Sequence, residues 1–446
     1  MFGTVLERES MKVHLIAPSR KGNSGSSGAS IAPPLGLVVL AGISPPEVEV
    51  SLVDENVEPI DFEQHADLAG ITVTTQTATR AYEIADALRA RGVKVALGGL
   101  HPSARPDEAG QHADAVVVGE AEDVWGQLLA DLQAGRLQPI YRGDGRPQLA
   151  GLPAPRRDIF QRKRYLLPDS IYTARGCPFG CSFCSVTSFF GGTFRWRPLD
   201  EVLAEIDGLE GRRMVFFVDD NIVGHAGRAR ELFRALIPYK LDWIGQASTT
   251  IARDETLLSL AAASGCVGLF VGIESLSPAS LRSVGKRHNV VEEYEEAIRR
   301  IHAHGIGIIG SFIFGLDHDT EDVFELTVRF AQRTRLEGAQ FGILTPYPGT
   351  PLEASLEREG RILSRDWAEY REDRVVFAPR LMSADRLKEG HDWAWREFYS
   401  LGSIWRRIGF SGDNILLAWA LNLNYRDDPL SRALFERIAG WAARLF

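Results

Sequence analysis

The chain has 446 residues, of which 45% are hydrophobic and 24% charged, so it can form two or three domains with ordinary apolar cores. Its net charge of -9 argues against a nucleic-acid partner, because affinity for nucleic acid comes mainly from Lys and Arg side chains. The N-terminus lacks the basic and apolar regions of a secretory signal, and no apolar run reaches the roughly 18 to 20 residues that span a bilayer. We therefore expect a cytoplasmic protein.

Residues 11–136 alternate between short apolar runs and stretches with helical spacing of their apolar residues. The helical spacing is clear in residues 77–91. The apolar runs read as buried strands and are KVHLIAP, EVSLVDE, LAGITVTT, VKVALGG and ADAVVVGE. This alternation predicts an α/β domain with a doubly wound parallel sheet of Rossmann or flavodoxin type, in which ligands bind at the carboxyl ends of the strands.

Residues 137–168 are rich in proline and basic residues without a sustained period, which predicts a linker. A second series of strands and helices occupies residues 169–350. Its strands read as SIYTAR, RMVFFVDD, DWIGQAS, VGLFVGIES, GIGIIGSFIFG and GAQFGIL. Six such repeats predict a partial (β/α)6 TIM-like barrel, whose functional residues lie at the C-terminal ends of the strands.

The alternation stops after residue 350, and residues 351–446 predict a mostly helical C-terminal domain. Six of the nine tryptophans lie in this segment. A helical cap packed on the barrel is the favoured interpretation of these apolar stripes. A wall for an apolar substrate and a surface for membrane contact are the alternatives.

Three of the four cysteines lie within eight residues, as Cys177, Cys181 and Cys184, in the loop after the first barrel strand. The spacing C-x3-C-x2-C lets three thiolates bind three irons of a cubane cluster and leaves the fourth iron open. A zinc site would need a fourth protein ligand, and the nearest candidates, His225 and Cys266, belong to other elements. We therefore predict an iron-sulfur site, with zinc as the less favoured alternative.

This motif, with Phe183 as the aromatic residue before the last cysteine, resembles the radical S-adenosylmethionine (SAM) enzymes. The resemblance implies that Cys177, Cys181 and Cys184 hold a [4Fe-4S] cluster and that SAM binds its open iron. An electron from the cluster then cleaves SAM to a 5′-deoxyadenosyl radical, which abstracts a substrate hydrogen. The resemblance also makes Phe183 an adenine contact. The strand-end residues that it places near SAM are Asp219, Asp220, Gln246, Ser248 and Glu274.

The N-terminal domain resembles the cobalamin-binding domain of a large radical SAM subgroup. The matching segments are PPLGLVVLAGI, SLVDEN, TVTTQTATRA, GGLHPSARPDEA and VVVGEAE. The motif D-x-H-x-x-G, whose histidine ligates cobalt in other cobalamin proteins, is absent, so His101 is offered as a candidate ligand, with bonding to its neighbours as the alternative. The residues expected to contact cobalamin are Pro34, Leu35, Thr74, Thr75, Gly98, Gly99, His101, Gly119 and Glu120.

Together these features predict a cobalamin-dependent radical SAM C-methyltransferase, which moves a methyl group from SAM through methylcobalamin to an unactivated carbon. We expect a small-molecule or lipid-like substrate and a reducing partner such as flavodoxin or ferredoxin. Tyr347 is the one candidate catalytic side chain, with a role in a turn as the alternative. Two other functions stay open. One is radical SAM cyclisation, rearrangement or oxidation without methyl transfer, and the other is that of a corrinoid or iron-sulfur binding or electron-transfer protein.

Overall fold

A computed structural model describes the chain in several ranges. These are residues 10–20, 30–143, 145–210, 214–409, 418–419, 422–423 and 425–426. Its contacts form two compact units. The first unit extends to Pro168 and includes Asp366–Ala368, and the second takes in Asp169–Arg365 and the chain from Glu369 onwards.

The first unit is built on a six-stranded parallel sheet. Its strands are β1 (Lys12–Ala17), β2 (Glu49–Asp54), β3 (Leu68–Thr72), β4 (Lys94–Gly98), β5 (Ala115–Val118) and β6 (Ile140–Arg142). Its helices are α1 (Leu35–Gly42), α2 (Ala78–Arg89), α3 (Leu100–Ala104), α4 (Pro106–His112) and α5 (Trp125–Gln133). The strand order β2-β1-β3-β4-β5-β6 confirms the predicted doubly wound fold and places its switch point between β1 and β3.

Apolar residues cover both faces of this sheet. One cluster joins α2 and α4 to the strands, and the other joins α1 and α5 to them. Successive strand residues point to opposite faces, so Leu15 belongs to one cluster and Ile16 to the other. Helix α2 buries residues that recur every three to four positions, from Ala78 to Leu88, as the spacing predicts.

The stretch 137–168, predicted as a linker, instead folds into the first unit. It contains β6, which pairs in parallel with β5. The backbone N–H of Arg156 donates to the carbonyl of Val38 at 3.1 Å, and the buried Tyr165 donates its hydroxyl to Asp54 at 3.2 Å. The sequence does not reveal this, because a strand of three residues at the edge of a sheet is too short to show a period.

The second unit contains the predicted partial barrel and a small ribbon. Its strands are β7 (Ser170–Ile171), β8 (Ala174–Arg175), β9 (Arg195–Trp196), β10 (Met214–Phe217), β11 (Asp242–Ala247), β12 (Cys266–Glu274), β13 (Gly307–Phe314) and β14 (Gly338–Ile343). Six of them form a sheet in the order β14-β13-β12-β11-β10-β7, and each neighbouring pair is parallel. This confirms the six-stranded open barrel. Strands β8 and β9 form a separate antiparallel ribbon that the sequence does not predict.

Helices surround the barrel and continue into the C-terminal segment. They are α6 (Ser185–Phe190), α7 (Leu199–Asp207), α8 (Ala226–Leu236), α9 (Glu255–Ala263), α10 (Pro278–Ser283), α11 (Tyr294–Ala303), α12 (Val323–Arg333), α13 (Pro351–Arg358), α14 (Ala384–Phe398) and α15 (Leu401–Ile408). Leu387 and Phe398 of α14 lie in the same apolar cluster as the barrel strands, so this part of the extension packs on the barrel. Most of the predicted C-terminal domain beyond residue 409 lies outside the described residues.

Side chains at the end of α14 and directly after it cover the open edge of β14. Tyr399 donates its hydroxyl to the carbonyl of Ala339 at 2.7 Å and accepts from the N–H of that residue at 3.1 Å. The indole N–H of Trp395 donates to the carbonyl of Phe341 at 2.9 Å. An edge strand otherwise leaves its backbone groups unpaired. No helix in the described ranges combines the length and the apolar character needed to cross a bilayer.

We predict that Gly390→Ala destabilises the second unit. A β-carbon at Gly390 of α14 would overlap the ring of Phe324 on α12, and overpacking of this kind costs about 1–3 kcal/mol. Differential scanning calorimetry should show a lower unfolding temperature. Gly402→Ala in α15 is the matched control, because a β-carbon there meets nothing within 4 Å. A drop of the same size in both variants would contradict the packing of α14.

Candidate functional site

The loop that carries the three cysteines begins at Gly176 and is closed at its base by the β8–β9 ribbon. Gly176 has a φ of 87°, and a β-carbon there would fall on the carbonyl oxygen of Thr193. Glycine is therefore required where the chain turns into the loop. Inside the loop, the hydroxyl of Thr187 donates to the carbonyl of Phe179 at 3.0 Å.

The three cysteine thiols are withdrawn from water. Cys181 is buried, and Cys177 and Cys184 are half-buried. Burial raises the pKa of all three thiols, that of Cys181 to about 11, and negative charges act in the same direction, from Asp220 on Cys177 and from the neighbouring thiolates on Cys181 and Cys184. Backbone N–H groups of the loop bond to Cys177 and Cys184 and act in the opposite direction. Three thiols that are partly or fully buried and repel one another when ionised need a positive partner, which an iron-sulfur cluster provides.

The cysteine loop offers three thiolate ligands, one each from Cys177, Cys181 and Cys184. In a cubane cluster each thiolate binds an iron of its own. The donor set of three thiols in one loop therefore fits a [4Fe-4S] group.

The two aspartates after β10 have different surroundings. Asp219 is buried, and its carboxylate accepts from the N–H and the hydroxyl of Thr173, each at 2.5 Å, and from the N–H of Ala174 at 3.1 Å. Burial raises the pKa of Asp219 to about 6. Asp220 is half-buried and accepts from the N–H of Gly176 at 2.9 Å. Asp219 thus joins β10 to the chain that enters the cysteine loop, whereas Asp220 lies beside the loop itself.

The end of β11 carries two of the predicted residues. Gln246 is exposed, whereas Ser248 is buried and its hydroxyl lies 2.6 Å from that of Thr250. The side chain of Asn221 accepts from the N–H of Ser248 at 3.2 Å and also bonds to the thiol of Cys177. Asn221 therefore links the third barrel strand to the cysteine loop.

Glu274 at the end of β12 forms a buried ion pair with Lys286. Burial alone would lower the pKa of Lys286, but the charges of Glu274 and of the Cys181 thiol raise it. Glu274 has a φ of 65°, and the pairing of β12 with β13 shifts register at this point. A β-carbon at Gly272 would lie 2.5 Å from a Glu274 oxygen and 2.7 Å from the Lys286 nitrogen. Only glycine at residue 272 leaves room for this pair.

Sequence reasoning missed Asn221 and Lys286. The signal in the sequence that points to Asn221 is its position directly after Asp220. Lys286 lies twelve residues after Glu274, beyond α10, so no spacing connects the two. Of the remaining candidates, Phe183 is half-buried and packs against the barrel core. Tyr347 is half-buried, and its carbonyl accepts from the Thr350 hydroxyl at 2.6 Å in the turn before α13.

In the first unit, most predicted cobalamin contacts lie at the carboxyl ends of strands. Thr74 is exposed after β3, and the others are half-buried at the start of α1 and at the ends of β4 and β5. These half-buried residues are Pro34, Leu35, Gly98, Gly99, Gly119 and Glu120. Such an edge, next to the switch point of the sheet, is where doubly wound folds bind ligands.

Thr75 and His101 lie beneath this edge. His101 is 0% exposed, with Nδ1 at 3.3 Å from the hydroxyl of Thr75 and Nε2 at 3.4 Å from the carboxylate of Glu108. Trp367 places the edge of its ring against His101, with ring centroids 5.0 Å apart, and donates its indole N–H to Glu108 at 2.7 Å. Both nitrogens of His101 therefore have protein neighbours, which favours a packing role over cobalt ligation.

The glycines at this edge keep the backbone approachable. Gly99 has a φ of 108°, and a β-carbon there would lie 2.9 Å from the carbonyl oxygen of Val73. Gly119 has a φ of 84°, faces open space and donates its N–H to the hydroxyl of Ser103 at 2.9 Å. The absence of side chains at these two glycines fits a large flat ligand that approaches the ends of β4 and β5.

Two family models match this chain, one in each of its two units. Residues 171–331 match the model of the Radical SAM superfamily, and residues 25–129 match that of the B12 binding domain. The bacteriochlorophyllide d C-12(1)-methyltransferase of Chlorobaculum tepidum is 31% identical over 92% of this chain and 91% of its own length. The hopanoid C-2 methylase of Rhodopseudomonas palustris is 31% identical over 78% of this chain and 68% of its own.

A solved structure shows the same fold. It is that of the radical S-adenosylmethionine methyltransferase TsrM from Kitasatospora setae, with cobalamin and a [4Fe-4S] cluster bound. The two chains superpose with a TM-score of 0.67 at 19% identity, over 98% of this chain and 100% of that one.

We predict that Cys181→Ala abolishes the iron-sulfur site, because two thiolates cannot hold the cubane that three would hold. Anaerobic reconstitution followed by iron and sulfide analysis should give about four irons per chain for the wild type and little for the variant. Cys266→Ala is the matched control, since that thiol is buried in β12. Equal iron loss in both variants would contradict the assignment.

We further predict that Lys286→Met lowers the free energy of unfolding by about 3–5 kcal/mol, because it leaves the Glu274 carboxylate buried without its cation. Adding Glu274→Gln removes that charge, so the double variant should regain most of the loss. Urea unfolding followed by tryptophan fluorescence measures both. A double variant less stable than Lys286→Met alone would contradict the pairing.

Proposed function

The chain belongs to the cobalamin-dependent radical SAM methyltransferases, and on that premise we propose that it methylates an unactivated carbon of an apolar, lipid-like ring system. Membership confirms the predicted enzyme class and the three predicted cofactors, a [4Fe-4S] cluster, SAM and cobalamin. When bound, these cofactors supply the methyl group and the radical chemistry that removes a substrate hydrogen. The protein supplies positions, charges and protection from water.

One observation carries the proposal. A single chain contains a loop with one buried and two half-buried thiols in one unit and, in the other, a doubly wound sheet with glycines at the carboxyl ends of β4 and β5. The first feature suits a cluster, and the second suits a corrinoid. A protein that only stored either group would not need both.

The residues divide into contacts and supports. We propose that Cys177, Cys181 and Cys184 hold the cluster. Among the predicted SAM residues, Asp220 and Gln246 are those with accessible polar groups, and we assign them direct contact. The remaining SAM assignments are Phe183, Asp219, Ser248 and Glu274. Phe183 would contact adenine, and the buried side chains of the other three would orient the site.

In the first unit we propose that residues at the open edge contact cobalamin directly. They are Pro34, Leu35, Thr74, Gly98, Gly99, Gly119 and Glu120. Thr75 and His101, which are buried beneath the edge, would support it from below. Tyr347 stays the one candidate side chain for a late hydrogen or electron transfer.

The substrate class is supported by relatives of high coverage, one named for a bacteriochlorophyllide and one for a hopanoid.

The reaction needs a reductant, and we propose flavodoxin or ferredoxin. A cytoplasmic location is part of the proposal, because a reducing compartment keeps thiols and cluster intact. Contact with a membrane surface would help a lipid-like substrate to enter.

The decisive experiment uses the reconstituted full chain with methyl-deuterated SAM, a reductant and, as probes, a bacteriochlorophyllide and a hopanoid. We expect a product that carries the deuterated methyl group, together with 5′-deoxyadenosine, by mass spectrometry. Cys181→Ala should form neither, because no electron reaches SAM without the cluster.

The other outcomes separate the alternatives. An altered product without deuterium would replace methyl transfer by cyclisation, rearrangement or oxidation. A full cluster that yields no 5′-deoxyadenosine with any reductant would instead favour a binding or electron-transfer protein.

A further inference from the structure

We propose that the outer surface of the cysteine loop docks a small acidic electron-carrier protein, and that Arg282, Arg287 and Arg358 attract it. This inference rests on the proposed function, because it assumes that the loop holds the cluster that must be reduced. It adds the place at which the electron enters the second unit.

Part of the outer surface of the loop is exposed main chain, beside the ring of Phe179 that stacks on His288. Pro178 and Gly180 are exposed, and so is Gly285, which follows α10. A β-carbon at Gly285 would lie 3.0 Å from the carbonyl oxygen of Gly180, so the two backbones are in close contact. The N–H of Ser182 donates to the carbonyl of Val284 at 3.0 Å and fixes this arrangement. A partner seated here would be separated from the thiols by only a thin layer of main chain.

Three exposed arginines lie around this surface. Arg282 and Arg287 flank the segment that contacts the loop, and Arg358 lines a cleft together with Ser182 and Ser283. In the described ranges, no carboxylate pairs with any of these arginines. Arginine side chains without carboxylate partners attract a negatively charged binding partner.

The acidic residues of the same cleft are already neutralised. Asp317 pairs with Arg361 at 2.9 Å and with Arg380 at 2.8 Å. Glu359 pairs with the same two arginines, at 3.0 and 2.7 Å. The carboxylates therefore do not offset the charge of the three docking arginines, and the surface stays basic although the whole chain has a net charge of -9.

Beneath this surface, the buried Lys286 ammonium stabilises negative charge at the cysteine loop. It contacts Glu274 and acts on the thiols of Cys181 and Cys184.

The redox step is a transfer of one electron alone. An anionic flavin hydroquinone on the carrier becomes the neutral semiquinone, and the oxidised cluster gains that electron, with no proton or atom exchanged.

The test mixes the reconstituted full chain, without SAM, with reduced flavodoxin in an anaerobic stopped-flow instrument. The triple variant Arg282→Glu, Arg287→Glu and Arg358→Glu should be reduced at least tenfold more slowly at low salt. The wild-type rate should fall as salt is added, because screening weakens the attraction. The single variants Arg282→Glu and Arg358→Glu should each show a smaller loss and guard against a folding defect in the triple variant.

The control triple variant, Arg299→Glu, Arg329→Glu and Arg333→Glu, makes the same charge change at exposed sites on α11 and α12. It should be reduced at the wild-type rate. Photoreduced deazaflavin, which needs no docking, should reduce all the proteins equally.

Unchanged reduction of the docking variants by flavodoxin, or an equal loss in the control variant, would overturn the docking surface. Equal slowing of the docking variants by deazaflavin would also overturn it, since the arginines would then act on the cluster itself. A wild-type chain that forms no cluster would overturn the proposed function instead.

Discussion

The second unit depends on one electrostatic constraint, which is that thiols taken out of water ionise only beside positive charge. Cys181 is buried with its pKa raised to about 11, and the other two cysteines are half-buried in the same loop. An iron-sulfur cluster satisfies this constraint, and the Lys286 ammonium adds a cation that interacts with the thiols of Cys181 and Cys184. Three features fit that cation and its carboxylate partner into the barrel. They are the glycine at residue 272, the positive φ of Glu274 and the register shift in β12.

A second constraint is the open edge of a barrel with six strands. A closed barrel pairs every strand, whereas β14 has a free side that water or protein must satisfy. Trp395 and Tyr399 meet this need with hydrogen bonds to the backbone of β14. Part of the aromatic richness of the C-terminal segment therefore has a structural cause. An apolar substrate or a membrane surface is not needed to explain these two side chains, although Trp405 is 52% exposed.

The sites of both units follow from parallel strands, because these bring residues from distant parts of the chain to one edge. The sequence predicts the strands well, because each strand is a local run of apolar residues. Prediction from sequence fails where the role of a residue depends on how deeply its side chain is buried. Asp219 and Asp220 are neighbours in sequence, but the first is buried under Thr173 and the second lies beside Gly176. Thr75 and His101 similarly lie beneath the edge that Thr74 and Gly99 form.

The sequence by itself determined the class of the protein, since cysteine spacing and the periods of strands and helices are local properties of the chain. It established two α/β sheets, the cluster loop and the family, because each rests on residues close together in sequence. Only the tertiary structure decided which strand-end groups are accessible, how β6 and Tyr165 draw the supposed linker into the first unit, and where Lys286 lies. These depend on contacts between residues far apart in the chain, and burial and charge pairing arise only when such residues meet.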